Sequence, residues 1–147
     1  MRLPRSARLA ILAALVASAA GAQQYTPRVN YILHCAGCHG MTGEGSQVGG
    51  IPAFPHSVAY IASIDAGRTY MMHVPGVVSA GLSDAQIAEV TNYILAEWSD
   101  GAAFTPFDAA EVTRRRAVPV SNVVEYRREV AGELAAQGIE LAYYPWP

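Results

Sequence analysis

The chain has no lysine: all ten of its basic side chains are arginine. It holds only two cysteines in 147 residues, and no acidic residue precedes Glu44. It also has no unbroken apolar run of about 20 residues, the length a bilayer span needs. Each shortage excludes a class of function. The glycine-rich stretch over residues 40–50 has no lysine and no phosphate-loop pattern, so a nucleotide site is excluded. No basic stripe runs along any segment, which argues against a nucleic-acid partner. With no second cysteine pair, a structural zinc site lacks its four ligands. No strand–helix alternation is visible, so a thioredoxin-like redox fold is not expected either.

What is present begins with a leader. Arg2, Arg5 and Arg8 precede an apolar segment from Leu9 to Val16, and Ala20-Gly21-Ala22 offers a small-residue cleavage site. This is the pattern of a secretory signal peptide over residues 1–22, with the mature chain expected from Gln23. No adjacent arginine pair occurs there, so a twin-arginine signal is not indicated. Cleavage leaves seven basic against twelve acidic side chains, a net charge of −5. The remaining length suits one domain. The expected location is the periplasm, with no transmembrane span once the leader is removed.

Residues 34–40 read HCAGCHG and contain both cysteines, Cys35 and Cys38, with His39 directly after. A two-residue gap is strained for a structural disulfide, and three adjacent residues cannot easily converge on one zinc ion. C-x-x-C-H is instead the attachment signature of c-type haem. Each thiol can add to one vinyl group along a single porphyrin edge, and a two-residue spacer on a helical turn holds both sulfurs at that edge. The next residue, His39, then falls beneath the ring and can give its imidazole to iron.

On these residues, and on GGIPAF (49–54) with an amphipathic helix beyond it, the stretch from Tyr25 to about Ser99 resembles a class I cytochrome c, a periplasmic monohaem electron carrier. The resemblance implies an all-α fold: a cytochrome c-like helical domain around one covalent haem c, over residues 23–99. Residues 100–147 would form a C-terminal helical extension packed on or docking beside it. It implies that the Pro52 carbonyl accepts from the second ring nitrogen of His39, fixing the tautomer and strengthening the ligand. It also implies a second axial ligand from RTYMMHVPG (68–76). Met72 is the first candidate there, Met71 stands close behind it and His73 is third, because Val74 occupies the position counted back from the last helix. Met41 is too close to His39 to reach the opposite face. His34 and His56 are expected at the surface.

Local signals give the element layout. Thr26 and Pro27 prepare a helix over residues 30–38; the resemblance implies that Tyr31 on it meets the last helix of the domain. A third helix is expected over residues 57–66, carrying Val58, Ile61 and Ile64 or Ala62 inward and stopped by Gly67. Ser83 and Gln86 form a capping box for a fourth, with Ile87, Val90, Ile94, Leu95 and Trp98 on one face. Tyr93 and Trp98 read first as core residues, and second as electron-pathway residues. Asp108 and Glu111 suggest another capping box, Asn122 and Glu125 a further cap, and Val123, Val130 and Leu134 an apolar face ended by Gly138. Arg114-Arg115-Arg116 reads as a solvated helix face, Asp65, Asp84 and Glu89 as surface charge. The aromatic tail, Tyr143, Tyr144 and Trp146, reads as a strap over the core.

The function implied is a carrier of single electrons between a periplasmic dehydrogenase and a downstream oxidase or reductase, with no acid–base constellation. Two alternatives stand beside it. One is a haem sensor or small haem enzyme with an open sixth coordination position. The other is an electron-transfer subunit fixed in a larger complex.

Overall fold

Thr26 starts the first element. Its hydroxyl accepts from the Val29 amide, and Pro27 follows in the first turn, where a missing N–H costs nothing. In the computed structural model, which describes residues 24–144, this gives α1, Pro27–His34, and then α2, Ala36–His39. The helix expected over residues 30–38 therefore begins earlier and breaks at Cys35, whose φ of −122° and ψ of −42° leave helical geometry. The leader expected over residues 1–22, together with Gln23, and Trp146 in the tail lie outside the described residues.

The rest of the chain is all-α. A glycine-rich loop with one isolated bridge, Ser46 to Ile51, leads to α3, Val58–Ser63, α4, Asp65–Met71, and α5, Pro75–Val78. Then come α6, Asp84–Trp98, α7, Ala109–Arg116, and α8, Val123–Ala135. No helix among the described residues is long and apolar enough to cross a membrane.

One helix was expected over residues 57–66, and two are present. Ile64 is extended, with φ −114° and ψ 150°, and breaks the run. Gly67 does not stop a helix. It sits inside α4, where a Cβ would lie 1.9 Å from the Ile61 carbonyl oxygen. The glycine lets α4 press directly on the end of α3. Val58, Ile61, Ala62 and Ile64 are all buried, so the apolar spacing survives the kink.

The capping box at Ser83 and Gln86 is complete and starts α6. This helix is the spine: it packs on α1, α3 and α7. Ile87, Val90, Ile94 and Leu95 point from it into a core shared with Tyr31, Val58 and Met72. A second cluster joins Ile61, Ile64 and Tyr70 to Val130 and Leu134 of α8.

The C-terminal segment is built into this core. Phe107 and Val112 belong to the same buried cluster as Tyr31. Asn92 of α6 holds the Phe107 backbone from both sides, its oxygen accepting from the amide at 2.7 Å and its nitrogen donating to the carbonyl at 2.9 Å. Asp108 caps α7 through the Glu111 amide, but the expected reciprocal contact is absent, because the Glu111 side chain is used elsewhere. It accepts from Arg68 Nε at 2.7 Å and Nη2 at 2.6 Å, and from Arg115 Nε at 2.7 Å. Arg68 also donates to the Thr105 carbonyl and lies 3.7 Å over the Phe107 ring. Arg115 reaches on to Asp65, and Arg116 to Asp84.

The arginine run is solvated only in part: Arg114 and Arg116 are exposed, while Arg115 and Arg116 are ion-paired across to α4 and α6. Asp65 and Asp84, read as surface charge, are their partners, and Asp65 is exposed as expected. At the far end, Asn122 accepts from two amides to start α8, and the Ala142 amide donates to Ser57 Oγ at 2.8 Å, holding the tail against α3. Tyr144 stacks on the Arg127 guanidinium at 4.0 Å, whereas Tyr143 is exposed.

Hydrogen bonds from Arg68, opposed by burial and helped by Arg115, hold the Glu111 carboxyl down to about 2, against 4.5 when free. A depressed carboxylate stabilises the fold above its unfolded value, and that contribution is lost as pH falls from about 4.5 through about 2. Glu111→Gln leaves the buried Arg68 charge without its partner. It is expected to destabilise the protein by about 3 kcal/mol at neutral pH and to flatten the acid limb of stability. Urea midpoints of both proteins at neutral and acid pH check this.

Candidate functional site

Cys35, Cys38 and His39 lie on the broken helix end formed by α1 and α2. Cys35 is half-buried, Cys38 is exposed, and neither is in a disulfide. Burial, with a smaller contribution from the neighbouring Cys38, pushes the Cys35 thiol up to about 11, so it stays protonated near neutral pH. The Cys38 and His39 amides both donate to the Cys35 carbonyl, at 3.1 and 3.0 Å, which winds the three residues into one tight turn.

His39 is fixed from two sides. Its Nδ1 lies 3.1 Å from the Pro52 carbonyl oxygen. A carbonyl can only accept, so Nδ1 carries the proton and Nε2 keeps its lone pair. Its ring stacks on Phe54, with centroids 4.1 Å apart and planes inclined by 15°. Burial lowers the His39 pKa and outweighs the opposing effect of the Pro52 hydrogen bond, so the neutral ring is favoured. Metal binding requires that form.

The loop between these residues explains its glycines. Gly45 has φ +66°, and a Cβ there would lie 2.3 Å from the Ile51 carbonyl oxygen and 2.7 Å from that of Pro52. Gly43 has φ +71°, and its Cβ would meet the Trp98 indole at 2.9 Å. Bare backbone therefore lets the loop fold back and bring Pro52 under His39. The Gly45 amide donates to the His39 carbonyl and the Phe54 amide to the Gly43 carbonyl, which closes the loop.

The donor set fits a covalently attached haem. Two thiols stand three residues apart on one turn, one of them open to solvent, and a neutral imidazole keeps one nitrogen free. Among the described residues, no group of three or more His, Cys, Asp or Glu side chains is placed to hold a bare metal ion.

The residues considered for the second axial position lie together at the end of α4. Met72 is its C-cap, 1% exposed, and belongs to the core cluster with Tyr31, Ile87, Leu95 and Val112. Met71, the last residue of α4, is half-buried and touches both clusters. His73 Nδ1 lies 2.9 Å from the Thr69 carbonyl, so this ring is folded back along its own helix with Nε2 free. His34 is exposed, and His56 is at the surface beside Asp100 at 3.1 Å.

Sequence reasoning missed two features here. Phe54, taken only as part of a weak motif, is the stacking partner of His39. Asn30 of α1 is fully buried, and neither of its amide atoms has a hydrogen-bond partner in the protein. Helical periodicity could have placed Asn30 inward; nothing local in the sequence marks Phe54.

Gly45→Ala puts a methyl into the Ile51 and Pro52 backbone at a left-handed position. It is expected to cost about 1–3 kcal/mol and to shift the Pro52 carbonyl off His39. Thermal unfolding measures the first effect, and the nitrogen chemical shift of His39 Nδ1 the second.

No protein-family model matches the chain. Two curated proteins do. Both are named cytochrome c-552 and both come from Thermus thermophilus, one of them from a designated strain of that species. Each is 36% identical over 104 residues and covers 56% of this chain; the alignments span 79% and 70% of the two relatives.

Proposed function

The chain belongs to the class I c-type cytochromes, electron carriers with covalently bound haem c, and from this we propose that Cys35 and Cys38 form the two thioethers and that His39 is the proximal iron ligand. The carrying observation is the His39 ring, stacked on Phe54 and held through Nδ1 by the Pro52 carbonyl. That arrangement leaves Nε2 for iron and keeps the imidazole from turning. When bound, haem supplies an iron that gains and loses one electron. The chain's own residues attach the group, orient its ligand and exclude water with the core of α1, α3 and α6.

The role we assign is transfer of single electrons in the periplasm, following export by the leader over residues 1–22. The donor would be a periplasmic dehydrogenase and the acceptor an oxidase or reductase. With a net charge of −5 after cleavage, docking through a basic ring is not expected. Residues 100–147 then form a helical extension of the haem domain over residues 23–99. Its packing through Phe107 and Val112 makes the extension part of the same core as the haem domain; a subunit fixed in a larger complex stands as the alternative role.

A second reading rests on Met72. A thioether ligand raises the potential of haem iron, and Met72 is our first candidate for the sixth position, ahead of Met71 and His73. Its side chain, however, is 1% exposed and packed among core residues. Either Met72 turns out of that packing, or Met71 supplies the sulfur, or the position is open. An open position suits a sensor or small haem enzyme.

Protein made in a host able to attach haem is expected to be red and heavier than its polypeptide by one haem, and Cys35→Ser together with Cys38→Ser to abolish the mass increase. A colourless wild-type protein of polypeptide mass defeats the proposal. The sixth ligand is read from the ferric spectrum: Met71→Ala and Met72→Ala should differ, only one losing the weak red sulfur-to-iron band. Rapid carbon monoxide binding by the reduced wild type selects the open site instead.

A further inference from the structure

His39 does not touch Phe54 alone; it begins a run of rings that reaches solvent. Phe54 lies 5.5 Å, centroid to centroid, from Trp98, and Trp98 lies 6.2 Å from Tyr93 in an edge arrangement. Tyr31 backs the run, 6.4 Å from Phe54, 5.0 Å from Trp98 and 5.7 Å from Tyr93. Tyr31 is 1% exposed, and its hydroxyl donates to the Gly40 carbonyl, so it is a closed end. Trp98 and Tyr93 are only half-buried and form the open end, on the C-terminal half of α6. Gly43 presses bare backbone on the indole, which fixes Trp98 at closest approach to the loop that carries Phe54.

We propose that Trp98 and Tyr93 are an electron port, joined through Phe54 to the His39 imidazole and used by a redox protein that docks on this end of α6. The proposal rests on His39 as the iron ligand. The step moves one electron: ferrous iron becomes ferric, the partner's acceptor centre is reduced by one, and no bond or proton changes. The rings are not themselves oxidised; they serve as a bridge, because conjugated systems in contact couple donor to acceptor better than saturated chain does. Charge specifies the partner. Glu89 and Glu97 stand one turn before and one turn after Tyr93 on α6, and both are exposed. A docking protein that presents basic groups around its redox centre complements them.

The test uses the holoprotein with a ruthenium photosensitiser on a single introduced cysteine. One label goes at Glu97→Cys, beside the port, and one at Arg114→Cys, an exposed position on α7. Flash-induced transfer between label and haem is measured with Trp98 and Phe54 intact, then with Trp98→Leu or Phe54→Leu. The expected result is a several-fold slower transfer from the Glu97 label in either Leu variant and no change from the Arg114 label. Trp98→Phe, which keeps a ring in place, should retain most of the rate. An unchanged rate from the Glu97 label, or equal slowing from both labels, overturns the port. Absence of haem appears in the mass beforehand and counts against His39 ligation, not against the path.

Discussion

The seating of Tyr31 against Trp98 is the contact on which the site depends. It joins the helix that precedes the C-x-x-C-H motif to the last turn of α6, and the Tyr31 hydroxyl ties both to the backbone at Gly40, directly after the motif. Burial first, then the neighbouring Cys35 and Glu44, push this phenol up to about 12, so it remains a donor at any physiological pH. Aromatic pairs of this kind contribute about 1 kcal/mol each beyond the area they bury. Here four rings share the contact, and His39 stacks on one of them. The ligand's orientation is therefore a consequence of helix packing as well as of its neighbour Pro52.

A second constraint acts from the other side. Arg68 is buried in α4, and a guanidinium cannot shed its charge. Its solvation comes chiefly from Glu111, the Thr105 carbonyl and the face of Phe107, all of them in the C-terminal segment, with a longer bond to the Ala62 carbonyl of α3. The segment that follows the family-like stretch is thus required by a residue inside that stretch. Removing it would take Phe107 and Val112 out of the core around Tyr31, Met72 and Ile87 and strip a buried cation of most of its partners. This coupling also fixes α4, which carries Met71, Met72 and His73 at its end. The residues proposed for the sixth position thus stand on a helix that α7 and α8 hold in place.

Much of this was legible locally. The Ser83 capping box, the Thr26 and Asn122 caps and the apolar spacing of α6 are encoded within a turn or two of sequence, because caps and periodicity act over that range. The motif itself was legible because Cys35, Cys38 and His39 stand at the spacing that haem attachment chemistry requires. Other readings failed for a shared reason. Gly67 looks like a helix stop until Ile61 is seen pressing on it. Glu111 looks like a capping residue until Arg68, from another helix, claims its carboxylate. Arg115 and Arg116 look solvated until Asp65 and Asp84 are brought to face them.

The sequence by itself determined the all-α class, the haem attachment signature and the starts of α6, α7 and α8, since each follows from residue type and short-range spacing. Only the tertiary structure decided that the C-terminal segment belongs to the core, that Phe54 backs His39, and that Met72 is packed on every side. Those outcomes depend on which surfaces meet across dozens of residues, and a side chain's partners over that distance are set by the packing of whole helices.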